Sequence, residues 1–144
     1  MNPRYRLPLL LCASMAALAG CGQMIGGPKS AGQPTAQAQA MQHMLGDVNQ
    51  VRAYTYGSGD RASAQEAADS LVGWSGQLAA LFPPDQAAAD YVDMSPERAK
   101  NAPAAMTRTT IALQEAVRLG DRAQIGRRLS QVETDGCGFC HRSH

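Results

Sequence analysis

Apolar residues in this chain recur by threes and fours in four separate stretches, each bounded by glycine, proline or a capping residue. That spacing matches one face of an α-helix, whereas a half-buried strand would alternate strictly. In the first stretch Met41, Met44, Leu45, Val48, Val51 and Tyr54 share a face, and Gly57-Ser58-Gly59 stops it. The second opens with Ser63-Ala64-Gln65-Glu66, a capping-box pattern. Its stripe runs Ala67, Leu71, Trp74, Leu78 and Leu81, and Pro83-Pro84 ends it. A looser segment, Asp85 to Met94, follows. Ser95-Pro96-Glu97 then reads as a helix start, with serine as cap and proline in the first helical position.

Pro103 predicts a kink or restart near Asn101-Ala102-Pro103, because an interior proline removes one hydrogen bond and crowds the preceding turn. Beyond it, Met106, Ile111 with Thr110 beside it, Leu113 and Val117 supply an apolar face as far as Gly120. Asp121 caps the last stretch, which carries Ile125, Leu129 and Val132 toward the C-terminus. Abundant alanine and only 5% aromatic residues favour helices over a sandwich of strands. Short connections make neighbours antiparallel, and such stripes are buried most simply in an all-α, antiparallel four-helix bundle.

The N-terminus reads as a targeting segment. Arg4 and Arg6 precede an apolar run, Leu7 to Ala19, that is shorter than the roughly 20 residues a spanning helix needs. It ends in Leu18-Ala19-Gly20-Cys21, which resembles the lipobox of bacterial lipoprotein precursors. The expectation is a signal peptide over 1–20, lipidation of Cys21, and a flexible tether over 21–39 rich in Gly, Pro, Ala and Gln. The bundle is then assigned to 40–144. An ordinary secretory signal cleaved nearby is the other reading of this segment. Two or more acyl chains give stable anchoring where one is marginal. Gly22 is not the aspartate that often marks inner-membrane retention, so the expected location is the periplasmic side of the outer membrane. Loss of Arg4 and Arg6 takes the formal charge from +1 to −1. That balance, without any basic run, gives no sign of a nucleic-acid partner.

With Cys12 removed and Cys21 lipidated, the remaining cysteines both lie in Cys137-Gly138-Phe139-Cys140-His141. Cys-X-X-Cys-His is the attachment signature of haem c. Two thiols one helical turn apart can each form a thioether with a haem vinyl group, and the adjacent histidine can ligate the iron as proximal ligand. Two other chemistries use the same residue types. Cys137, Cys140, His141 and His144 could bind zinc, although structural zinc sites usually draw ligand pairs from separated segments. A redox disulfide normally opens a helix in a βαβ context, and here the motif closes an all-helical chain. No paired carboxylates, Ser-His-Asp set or phosphate loop points to an enzyme.

The terminal CGFCH, the approach LGDRAQIGRRLSQVETDG and the segment LAALFPP together make the chain resemble the cytochrome c′ family, over roughly Ala40 to His144. Asp90-Tyr91-Val92-Asp93 stands where relatives carry a Trp- and Asp-containing segment. The resemblance implies a four-helix bundle with one covalent haem c on its C-terminal helix. It also implies that the residue facing the iron from the first helix decides function. A methionine there supplies a sixth ligand and makes a single-electron carrier. An apolar residue leaves the iron five-coordinate and able to bind nitric oxide or carbon monoxide.

The candidates for that position are Met44, with a small gap in the comparison, and Met41 without one. His43 lies between stripe residues and is expected to face outward, His144 to be a surface residue, and Trp74 to sit in the core. The sequence departs from relatives in having only Arg142 and His144 as basic side chains after His141, and no arginine on the first helix before Arg52. Family members often pair as homodimers through their first two helices, so a homodimer is a further expectation, alongside a redox partner of unknown identity.

Overall fold

The computed structural model describes residues 35–85 and 95–141. Four helical rods account for nearly all of them: α1 (Ala36–Thr55), α2 (Arg61–Leu81), α3 (Pro96–Leu119), and a last rod that begins with α4 (Arg122–Gln131). That rod continues through a π-helical segment, Val132–Cys137, into a final turn, α5 (Gly138–His141). No strand occurs among the described residues. The rods pack in a ring: α1 on α2, α2 on α3, α3 on the last rod, and the last rod back on α1. Gln37, near the start of α1, donates to the Leu81 carbonyl at the end of α2 (3.2 Å), as antiparallel neighbours require. The fold is therefore an all-α, antiparallel four-helix bundle.

The stripes read from sequence form the core. Leu71, Leu113, Ile125, Val51, Val117 and Val132 are fully buried. Their burial removes apolar area from water at about 25 cal/mol per Å², which drives the rods together. Ser75 and Thr110 are buried with them, 3.1 Å apart. Each hydroxyl also lies within reach of a carbonyl of its own helix, Val72 and Thr107, so that one donates to its carbonyl while the other donates across and neither is stranded.

Several boundaries differ from expectation, each for a local reason. Helix α1 begins at Ala36, within the stretch expected to be tether, because Thr35 accepts from the Ala38 N–H and Ala40 is fully buried. The cap of α2 is Asp60, three residues before the expected Ser63. Its carboxylate takes both the Ser63 N–H (2.9 Å) and the Ser63 hydroxyl (2.7 Å). Those bonds, the first above all, hold its pKa below the usual carboxylate value. Helix α3 runs unbroken through Pro103. Ala99, Ala102, Ala105 and Met106 are buried on both sides of the proline, and that packing keeps the rod continuous despite one lost hydrogen bond.

Ile111 is 49% exposed while its neighbour Thr110 takes the core position. Trp74 is only partly buried, at the edge of the core, and stacks on the exposed His43 ring (centroids 5.2 Å apart, planes at 13°). The Ser95 cap of α3, its Pro96, and the left-handed Gly120 (φ 82°) that ends it stand where the sequence puts them. The stretch 1–20 expected as a signal peptide, with Cys12, and Cys21, the segment Asp90–Asp93, Arg142 and His144 lie outside the described residues.

Candidate functional site

The last rod builds one wall of the site. Asp121 accepts from the Ala123 and Gln124 N–H groups and starts α4, and Ile125, Leu129 and Val132 anchor the rod in the core. At Val132 the helix widens by one residue per turn, so that the Gly138 N–H reaches back to the Glu133 carbonyl. Such π-helical turns occur mostly at functional sites, because they re-aim the side chains that follow. Gly136 lets this segment lie against α3: a Cβ there would stand 2.6 Å from Met106 Sδ and 2.9 Å from Thr109 Oγ1.

Cys137 closes the π segment, and Cys140 and His141 fall in the next turn. Spacings of three and four put all three on one side of the rod. All three line a cavity of about 410 Å³, within the roughly 300–1,000 Å³ common for cofactor pockets. The facing wall comes from α1: Met41, Met44, Leu45 and Val48, with Arg52 at its end. Leu78 and Phe82 close the cavity from the end of α2, and Ala99, Ala102, Pro103 and Met106 close it from the start of α3. Small alanines on α3 leave the space that larger side chains would fill. Met44 is 5% exposed, Met41 half-buried, and Leu45 61% exposed on the cavity's open side. His43 and Trp74 do not line it.

Charge is confined to one part of the lining. Arg52 and Glu133 carry it, and they pair with each other at 2.5 Å between α1 and the π segment. Arg52 also donates to Asn49. Both side chains are about 40% exposed, so the pair adds at most about 1 kcal/mol. The Cys137 thiol is pushed up in pKa, first by burial and then by the Glu133 carboxylate. Burial likewise pushes up Cys140, against a smaller downward pull from Arg98.

Both cysteines are free thiols. Raised thiols are poor thiolate nucleophiles, the opposite of what disulfide exchange requires. Among the described residues, no three His, Cys, Asp or Glu side chains gather where an ion would sit, and His144 lies outside them. A largely apolar cavity with two thiols and an imidazole on one wall and thioethers on the other fits haem c in shape and in donor chemistry.

The family model for cytochrome c′ matches residues 33–144. The chain belongs to the cytochrome c′ family. Neither the curated proteins nor the solved structures offer a further match. Membership of the cytochrome c′ family implies covalently bound haem c, and the family is generally one of non-enzymatic haem carriers of electrons or gas. The matched span takes in all of the described residues, 35–85 and 95–141.

Sequence reading brought Cys137, Cys140, His141, Met41 and Met44 to this site, and the structure gathers all five around one cavity. That reading missed Met106, Phe82, Ala99, Ala102 and Glu133. Met106 counted as ordinary core, and Phe82 followed the end of a stripe.

Proposed function

We propose that this cytochrome c′ carries single electrons, with haem c bonded to Cys137 and Cys140, ligated by His141 on one side and by Met44 on the other. The observation that carries this reading is the placement of Met44: buried, on α1, in the wall facing the Cys-X-X-Cys-His turn. Met41 shares the wall one turn earlier but is only half-buried, which makes it the second choice. When bound, haem c supplies a one-electron iron couple.

The chain's own residues supply the rest. The two cysteines would tether the haem, His141 and Met44 would ligate its iron, and the apolar Val48, Leu78, Phe82 and Ala102 would shield it from water. A methionine ligand raises the potential relative to histidine alone. The second reading is a five-coordinate iron that binds nitric oxide or carbon monoxide. Leu45 and Val48 favour it, being non-ligating side chains on the same wall as Met44.

The full chain, expressed with a haem c maturation system, separates the two. With Met44 as ligand the reduced protein gives sharp α and β bands, Met44→Ala converts it to a high-spin spectrum, and Met106→Ala does not. A broad wild-type spectrum that shifts with carbon monoxide overturns the Met44 assignment and leaves the gas-binding reading. We further infer export by the signal peptide at 1–20, lipidation of Cys21, and a tether reaching the Thr35 cap, which together hold the bundle at the periplasmic face of the outer membrane. No helix among the described residues is long and apolar enough to cross a membrane. The electron partner is then a periplasmic protein, and a homodimer through α1 and α2 is the family's usual assembly. Loss of fatty-acid labelling in Cys21→Ser tests the anchor.

A further inference from the structure

Arg98 is the third residue of α3, at the positive end of the helix dipole, where a cation is disfavoured. Its backbone N–H donates to Ser95 Oγ (3.2 Å), so the cap is kept while the side chain leaves the helix. The guanidinium crosses to the last rod. Nε donates to the Phe139 carbonyl at 2.6 Å, and Nη2 to the Gly138 carbonyl at 3.4 Å. The same group lies 5.6 Å from the centroid of the Phe139 ring. Both bonds run from the start of α3 to the attachment turn of the last rod. The two carbonyls belong to the peptide units on either side of Phe139, the second of which leads into Cys140. The positive charge is felt at the Cys140 sulfur as well, where it opposes the effect of burial.

We propose that Arg98 is the positioning residue of the attachment turn: it fixes the two peptide planes flanking Phe139, midway between Cys137 and the Cys140-His141 pair, and its permanent charge beside them biases the iron toward the reduced state. A planar guanidinium suits this task because its fork can meet two carbonyls and an aromatic face at once, which a lysine ammonium cannot. The inference rests on the haem reading above and adds to it a residue outside the motif.

The test uses the haem-loaded full chain as wild type, Arg98→Gln and Arg98→Lys. Potentials come from spectroelectrochemical titration, and the spread of histidine orientations from the width of the ferric electron paramagnetic resonance lines. Arg98→Gln should shift the redox equilibrium toward the oxidised state by about threefold to tenfold, roughly 28 to 59 mV for one electron, with widened lines. Arg98→Lys keeps the charge and loses the fork, so its shift should be smaller while its lines also widen. A loaded Arg98→Gln at the wild-type potential, or an Arg98→Lys identical to wild type in both measurements, overturns the proposal. If Arg98→Gln accumulates no haem protein, Arg98→Lys decides by the same criteria. A wild-type chain without a Soret band would instead overturn the haem reading, and this inference with it.

Discussion

Replacing Gly136 with alanine should loosen the contact between the π segment and α3, and the size of the effect follows from the surroundings. The added Cβ would stand 2.6 Å from Met106 Sδ and 2.9 Å from Thr109 Oγ1, against 3.8 Å for the nearest backbone atom, Met106 Cα. Ordinary carbon contacts lie near 3.5–4.0 Å, so the methyl must displace its neighbours by close to 1 Å. Met106 is buried, and Thr109 is held by the Ala105 and Met106 carbonyls (3.3 and 2.9 Å), so neither retreats freely. Overpacking of this kind costs about 1–3 kcal/mol. The Gly-to-Ala change returns about 0.4–1 kcal/mol by restricting the unfolded chain. The net expectation is a loss of about 1–2 kcal/mol in urea unfolding followed by circular dichroism.

Met106→Ala alone should cost about 2–5 kcal/mol as a buried truncation. In that background most of the clash is gone, and Gly136→Ala should become neutral or slightly stabilising. Thr109→Ala should relieve what remains. Additivity of the Gly136 and Met106 changes within about 0.5 kcal/mol would refute the argument, because it would mean the two positions do not share the space.

Other expectations follow from single features. Burial raises both motif thiols above their ordinary value, helped at Cys137 by Glu133 and opposed at Cys140 by Arg98. A group raised in the fold contributes stability that is complete below its unfolded value, about 8.5 for cysteine, and lost as pH rises through the folded value. Haem-free protein should therefore lose stability at alkaline pH more steeply than its Cys137→Ser/Cys140→Ser variant, whereas haem-loaded protein, with no thiols left, should not show that added loss. Unfolding curves at pH 7 and pH 10 measure both. Thr110→Val should cost about 1 kcal/mol, and less than that on top of Ser75→Ala, by the same urea assay. Ser95→Ala removes the α3 cap and should lower stability by about 1 kcal/mol in denaturant unfolding.

Four helices and the attachment turn were legible because both depend on local spacing. The stripes Met44–Val48–Val51 and Leu71–Leu78 are periodic whatever surrounds them, and Cys137, Cys140 and His141 need only one turn to share a side. What escaped depends on competition between near-equal choices or on contacts far apart in sequence. Asp60 and Ser63 are comparable caps, and only the fold shows that Asp60 captures Ser63's own N–H and hydroxyl. Thr110 outcompetes Ile111 for the core because Ser75, 35 positions away, offers its hydroxyl a partner. The π turn has no local signature in Val132–Cys137. It depends on Gly136 meeting Met106 and Thr109 on another helix.

Alternating direction makes the two ends of the bundle chemically different. At one end, the finish of α1 and α3 and the start of α2 and α4 close on branched side chains such as Val51, Val117 and Ile125, all fully buried. Polar contacts reinforce that end: Arg61 donates to the Arg118 carbonyl, and Arg122 lies over the Tyr54 ring at 4.8 Å. At the other end, the starts of α1 and α3 meet the finishes of α2 and the last rod, and there Leu45, Val48, Leu78 and Phe82 share the lining with three methionine thioethers, two alanines, a proline and a glycine. Close-packed aliphatics define one geometry, whereas methionine adapts to irregular space. A cofactor inserted at the adaptable end thus meets side chains that can reshape around it without disturbing the aliphatic end. It follows that a core truncation such as Leu71→Ala should cost about 2–5 kcal/mol while leaving the haem spectrum intact, and Met44→Ala should do the reverse in emphasis, changing the spectrum most.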